Sequence, residues 1–355
     1  MTDETPKPGL EMLASRLLTA WLDQAKISLA FTTYQAGKLF LIGLQEDGRL
    51  SVFERTFSRS MGLGVDRADP GVFHMSSLYQ LWRFQNFLDP GQMHQGYDAV
   101  YVPVLGHTSG DIDVHDIHSR GGAPVFVATR FNCLATLDNR YSFRPVWKPP
   151  FIDRIAAEDR CHLNGMAMEP KGDAALPTYV TCVSRTNVAD GWREHRRQGG
   201  MVLDVATGEP VATDLSMPHS PRLHDGKLWL LQSGTGEFGQ VDPKSGTFTP
   251  VCFLQGFARG MAFAGDHAVI GVSKPREGTF EGLALNDRLA AEGVSAKCAL
   301  MVVNLKTGDI EHSLDFSGLV EELYDIAVLP GVRRPMALGF KTNEIRFMVR
   351  PGELP

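Results

Sequence analysis

The sequence contains no run of 18 apolar residues, so no membrane-spanning helix is expected. Residues 1–10 are acidic and proline-containing, without the basic start and apolar stretch of a secretory leader, and no signal peptide is expected. There is no CxxC pair. The five cysteines, Cys133, Cys161, Cys182, Cys252 and Cys298, are scattered and odd in number. That usage suits reduced, mostly buried thiols in a cytoplasmic protein better than a disulfide framework. The HExxH, GxSxG and Walker-type patterns are also missing, which removes the local signatures of zinc proteases, serine hydrolases and phosphate loops. Charged residues make up only 21% and the net charge is −6, so neither a nucleic-acid partner nor a membrane partner is expected.

What is present is glycine (36) and proline (21) in a 355-residue chain with 43% hydrophobic residues. That composition favours many short strands joined by turns around a real core. One amphipathic stretch stands at the start: residues 10–25 place Leu13, Leu17, Leu18, Trp21 and Leu22 on one helical stripe. Residues 1–27 therefore read as an acidic segment plus a helix, and residues 28–355 as the main domain.

After Ser28 the pattern becomes short alternating runs with turns between them, such as LAFTTY, KLFLIGL and LSVFERTF. DVATGE, DPKSGT and NLKTGD recur as hairpin turns. HLNGMAMEP (162–170) and FARGMAFAG (257–265) align closely, and each is followed by two strands. Similar openings occur as MGLGV (61–65), HDIHS (115–119), PRLHD (221–225) and YDIAV (324–328). With LAFTTY they give seven openings at blade-sized intervals. The expected fold is an all-β single β-propeller of about seven blades, with six also allowed. Small residues on the innermost strands, Gly165, Ala167, Gly260 and Ala262, are then explained by packing around the channel.

Laying the openings over one another places polar residues at equivalent positions near one end of the channel. They are His115 and Asp116, His162 and Asn164, His219 and Arg222, Arg259, and Tyr324 and Asp325. Buried polar groups cost free energy unless they are paired, so such a set needs a reason. His115, His162 and His219 can act as general bases or as ligands of a divalent metal, with Asp116 or Asp325 completing the shell. Arg222 and Arg259 can hold an anion or stabilise developing charge. A hydrogen-bonded channel plug is the bland account of the same residues.

Tyr34 in TTYQAGKL and Lys274 in SKPRE are further candidate ligand contacts, with Arg276 beside Lys274. WREHRRQ (192–198) reads as an exposed basic loop or a cover over the channel, and GVRRP (331–335) as a solvated turn. Cys161 adjoins His162, but neighbours on a strand face opposite ways, so a cysteine nucleophile is not expected.

At TTYQAGKL, CHLNGMA, PHSPRLHDGKLWLLQSGTGE, GFARGMAF, GVSKPRE and LYDIAVLPGVRRPMALGF the sequence resembles a bacterial family known as conserved hypothetical. The match spreads over most of the chain and implies a propeller-like fold without an assigned reaction. HDGKLWLLQSGTGE is more distantly similar to the strand-turn pattern of glutamine cyclotransferase and gluconolactonase propellers, enzymes that work at the channel mouth. Of the lactonases' metal-binding carboxylate and asparagine pattern, only Asn164 has a counterpart. The resulting expectation is a hydrolase, lyase or isomerase acting on a small polar or anionic metabolite. A non-catalytic module that binds a protein partner or a small ligand is the competing reading.

Overall fold

The computed structural model describes residues 9–171, 175–275 and 282–352. Residues 1–8 of the acidic segment and Arg276 of SKPRE lie outside the described residues. Among the described residues no helix is long and apolar enough to cross a membrane.

Alternation of period two along short runs produces antiparallel sheets, and six of them form the blades of a β-propeller. The innermost strands, in chain order, are Leu63–Val65, Val114–His118, Leu163–Ala167, Pro218–His224, Phe257–Ala264 and Ile326–Pro330. They define blades one to six. These are the six openings read from the sequence other than LAFTTY, so the count is six. LAFTTY lies in Ile27–Thr33, which pairs as the second strand of blade six against Ile326–Pro330. The opening YDIAV and the run LAFTTY therefore belong to one blade, built from both ends of the chain.

The first residues also differ from the helical reading. Leu10–Ala14 is a strand that pairs with Ile310–Gly318 as the outer edge of blade five, and only Leu18–Ala25 forms a helix, α1. Along Leu10–Ala14 the half-buried Leu10, Met12 and Ala14 alternate with exposed Glu11 and Leu13, a strand's period inside an apparent helical stripe. Leu18, Trp21 and Leu22 of α1 are buried in the core shared with blades five and six. The described residues before position 28 are thus part of the propeller wall.

The predicted turns are where expected. Asp204, Asp242 and Asn304 each accept a hydrogen bond from an amide two or three residues on. Gly208, Gly246 and Gly308 close these turns with positive φ. The run Gly234-x-Gly236-x-x-Gly239 has the spacing of a dinucleotide loop. It instead joins Lys227–Gln232 to Glu237–Val241, strand to strand, so no helix N-terminus follows it to hold a phosphate. GVRRP is a turn with Gly331 and Arg333 exposed and Arg334 half-buried, and it is also pinned: the Arg333 and Arg334 amides donate to Asp98, and Pro335–Ala337 adds a parallel edge strand to blade one.

The channel walls approach closely. A Cβ on Gly64 would stand 2.2 Å from the Ile117 carbonyl oxygen. Gly260, at φ +76°, touches the Asp325 backbone. Blades two, four and six also clasp their successors through inner-strand side chains. Asp116 accepts from the Met166 amide, Ser220 from the Gly260 amide, and Asp325 from the Leu63 amide.

Arg222 of blade four crosses the channel between them. Its guanidinium donates twice to Asp116, at 2.7 and 3.2 Å, and to the carbonyls of Met166 and Met261, and it lies 3.8 Å from Asp325. One cation against two buried carboxylates is unbalanced. Burial and the neighbouring Asp116 charge push Asp325 up to about 7, against the pull of Arg222.

Two outcomes follow from this strut. Arg222→Met is expected to destabilise the fold by about 3–5 kcal/mol in urea unfolding, because it strands two buried carboxylates. Adding Asp116→Asn and Asp325→Asn is expected to recover part of that loss. Asp325 holds in the folded state a proton that the unfolded chain releases near pH 4, so its contribution is full below that pH and falls as pH rises to about 7. The stability of wild type relative to Asp325→Asn is therefore expected to fall between pH 4 and 7 and to level above it.

Candidate functional site

Inner strands all begin at the same end of the channel, so the residues that open them form a ring there. At the second strand of each blade stands a Ser or Thr, and in five blades its hydroxyl donates to the next blade's opening carbonyl. Thr32 donates to Met61, Ser76 to Val114, Thr129 to Leu163, Ser233 to Ala258 and Ser273 to Leu323. In blade three the aligned hydroxyl is that of Ser184, and Thr181, three positions earlier and opposite Gly165, donates to the Asn164 side-chain oxygen at 2.7 Å. The backbone at this end is strained: Arg59, Asp113, His162 and Met217 all take positive φ at the mouths of blades one to four.

Inside this ring lie His115, His162, Asn164, His219, Arg259 and Tyr324, all buried. The His115 and His162 rings meet edge to face at 4.9 Å, and His115 meets Tyr324 at 5.4 Å. The Arg259 guanidinium lies 4.6 Å above the Tyr324 ring, which stacks on Tyr34 at 5.7 Å. Arg259 also approaches Glu322 at 3.5 Å. Four polar atoms here are buried with no hydrogen-bond partner among the described residues: His219 Nε2, Asn164 Nδ2, Arg259 Nε and Tyr324 Oη. They come from blades three, four, five and six.

The three histidines are held differently. His115 Nδ1 contacts Thr129 Oγ1 at 2.8 Å and the Asp113 carbonyl at 3.1 Å. His219 Nδ1 contacts the Met217 carbonyl at 2.9 Å and Ser233 Oγ at 3.1 Å. His162 Nδ1 faces the Asp159 carboxylate at 3.0 Å, and Trp192 stacks on its ring at 4.2 Å while donating to the same carboxylate. Burial, reinforced by neighbouring cationic groups, holds His115 and His219 well below the usual imidazole range. Burial lifts Tyr324 well above the usual phenol range and raises Asp113 above the usual carboxylate range.

The expectation that the aligned residues share one volume is met only in part. Arg222, Asp116 and Asp325 sit deeper, in the strut, and Arg222 and Asp116 border a cavity of about 500 Å³ that opens toward the other ends of the inner strands. Lys274 pairs with Glu321 at 3.3 Å on a half-exposed loop and does not join the histidines. Among the described residues no three His, Cys, Asp or Glu side chains are grouped to hold a metal ion. The Nδ1 atoms of all three histidines face protein partners, which leaves Nε2 as the nitrogen each ring can offer to a ligand.

The sequence reading missed Asp159, Trp192 and the hydroxyls of Thr129 and Ser233. WREHRRQ is exposed apart from the half-buried Arg196 and Trp192, which is buried against His162. That loop and the one carrying α2, Ala284–Ala291, cover the ring on one side, with Trp192, Met217, Phe257, Leu283, Leu285 and Leu289 in one apolar cluster. The signal for the hydroxyls was available, since a Ser or Thr recurs at the end of the second strand in blade after blade. All five cysteines are free, and burial pushes the Cys161 thiol well above its usual range.

Neutral, buried His115 and His219 refuse protons that the unfolded chain accepts below about pH 6.5. Their folded values are depressed, so the stability they contribute is full above pH 6.5 and is lost as pH falls below it. Urea unfolding across pH 5–6.5 is expected to show a slope approaching about 2.7 kcal/mol per pH unit from this pair. His219→Asn, whose amide can replace the Nδ1 donor, is expected to remove about half of it.

Three comparisons place this architecture. A chain in the crystal structure of a nidogen/laminin complex is similar in fold, with a TM-score of 0.54 and 11% identity over 86% of this chain and 99% of that one. A protein of unknown function from Bacteroides caccae aligns with a TM-score of 0.48 and 12% identity, over 85% of this chain and 98% of that one. No curated protein matches the sequence. The family model described as "Domain of unknown function (DUF4915)" matches residues 16–338, and the chain belongs to that family.

Proposed function

We propose that the ring at the inner-strand openings binds a small polar metabolite and performs acid–base chemistry on it. The observation that carries this reading is the set of four buried polar atoms left without a protein partner on four consecutive blades. Each such atom costs about 1–3 kcal/mol of desolvation unless something satisfies it, and a cluster of them is what a ligand site requires.

The ring also holds the parts such chemistry needs. His115 and His219 are neutral imidazoles suited to accept a hydrogen bond from a bound ligand. Asp159 orients His162 in the manner of a carboxylate-backed base. Asn164 and Arg259 supply donors where negative charge would develop, and Tyr324 remains a protonated phenol. Hydrolysis, elimination and isomerisation all use this equipment. In this reading the protein is a cytoplasmic enzyme with a small-molecule partner.

The test is a thermal-shift screen of metabolites on wild type and Tyr324→Phe, with mass analysis of every stabilising compound. At about 100-fold excess over its dissociation constant a ligand is expected to raise the melting temperature by about 5 °C. Tyr324→Phe removes an unpaired buried hydroxyl, so it is expected to fold with undiminished stability and to lose most of that shift. Equal shifts in both proteins would sink the site. Stabilisation without any change in the compound would make it a binding module instead of an enzyme.

A further inference from the structure

The hydrogen bonds that tie the blades together also decide which nitrogen of two histidines carries the proton. Thr129 has one hydroxyl proton, and it goes to the Leu163 carbonyl. Its contact with His115 Nδ1 at 2.8 Å then requires a hydrogen on the nitrogen. The second partner of that nitrogen, the Asp113 carbonyl, is a pure acceptor and requires the same. Ser233 repeats the arrangement: its proton goes to the Ala258 carbonyl, so His219 Nδ1 must donate to Ser233 Oγ and the Met217 carbonyl. Both neutral rings are therefore Nδ1–H tautomers, and both Nε2 atoms present bare lone pairs.

The donors are fixed by similar logic. Asn164 Oδ1 is occupied by the Thr181 hydroxyl, which turns the Nδ2 hydrogens away from it. Arg259 Nε–H is buried without a partner. The chamber thus offers acceptors from blades two and four and donors from blades three and five, alternating around it, with Tyr324 Oη of blade six able to play either part. An ammonium group would suit the histidines but would meet the Arg259 charge that already bears on both of them. A phosphate dianion would meet Asp113 and Glu322, which both bear on Tyr324.

Resting on the ligand-site reading above, we infer that the chamber takes a small hydroxy acid. Its hydroxyl groups donate to Nε2 of His115 and His219, and its carboxylate accepts from Asn164 and Arg259. A site built to hydrogen-bond a hydroxyl discriminates strongly against the analogue that lacks it, because the buried lone pair is then left unmet.

Calorimetry on the full chain with matched three- and four-carbon sets tests this: glycerate, propionate and glycerol, then threonate, butyrate and erythritol. In at least one set the hydroxy acid is expected to bind about tenfold or more tightly than both its deoxy acid and its polyol. Imidazole nitrogen-15 spectra of wild type are expected to show Nδ1–H for His115 and His219. A deoxy acid or a polyol that binds as well as the hydroxy acid, no binding in either set, or an Nε2–H tautomer at either histidine would overturn the inference. If the hydroxy acids fail while the metabolite screen yields a Tyr324-dependent ligand of another class, the ligand class falls and the site stands. If that screen is also empty, the site falls with it.

Discussion

A single guanidinium spans the middle of this propeller. Arg222 leaves blade four and reaches a carboxylate of blade two and carbonyls of blades three and five, with the carboxylate of blade six in range. A ring of sheets has no central element of its own, and its blades contact only their neighbours. Here the centre is an ion network that ties opposite walls together. It fixes the channel's width at mid-height and divides it into two compartments of different character. The compartment at the inner-strand openings inherits the unpartnered atoms, and the opposite one is bordered by Leu63, Met166 and Met261.

Structure and chemistry share atoms in the upper compartment. The Thr129 and Ser233 hydroxyls close the seams between blades, and by spending their protons there they also set the histidines' tautomers. Such a coupling constrains both roles. Loss of either hydroxyl would loosen a seam and release a ring at once, and an alanine there would leave a buried carbonyl unmet. Blade three departs from the pattern in one respect: a hydroxyl deeper in its second strand, that of Thr181, holds the Asn164 side chain. That departure lies in the same blade as the His162–Asp159 pair. A broken repeat at a functional position is what consistency arguments lead one to expect.

Much of this was legible in the sequence because a propeller repeats itself. The openings HLNGMA and FARGMAF exposed the inner strands, and the polar residues beside their small residues were located by register alone. LAFTTY misled the blade count because its alternation is that of any buried strand, and period-two patterning does not say which strand of a sheet is innermost. Leu10–Ala14 looked helical because Leu13, Leu17 and Trp21 happen to fall on one stripe. Pairing with the distant Ile310–Gly318 decided the matter. Asp159 and Trp192 were beyond reach for a different reason. They meet His162 from a loop whose path no local pattern encodes. The depth at which Arg222 sits depends on the length of its side chain across the channel, which alignment of strand openings does not report.

Blade six is completed by a strand made almost 300 residues after its neighbours: the Asp325 amide meets the Thr32 hydroxyl across a separation of 293 positions. Until then Ile27–Thr33, buried at every position in the finished protein, has an unsatisfied edge. The last inner strand to be made also brings Tyr324 to the chamber and Asp325 to the central strut. A truncated or nascent chain therefore lacks ring closure, its full ion network and its ligand chamber all at once. The Ile27–Thr33 edge thus stays open while about 290 further residues are made, and binding competence arrives in one step once residues 324–330 close the ring.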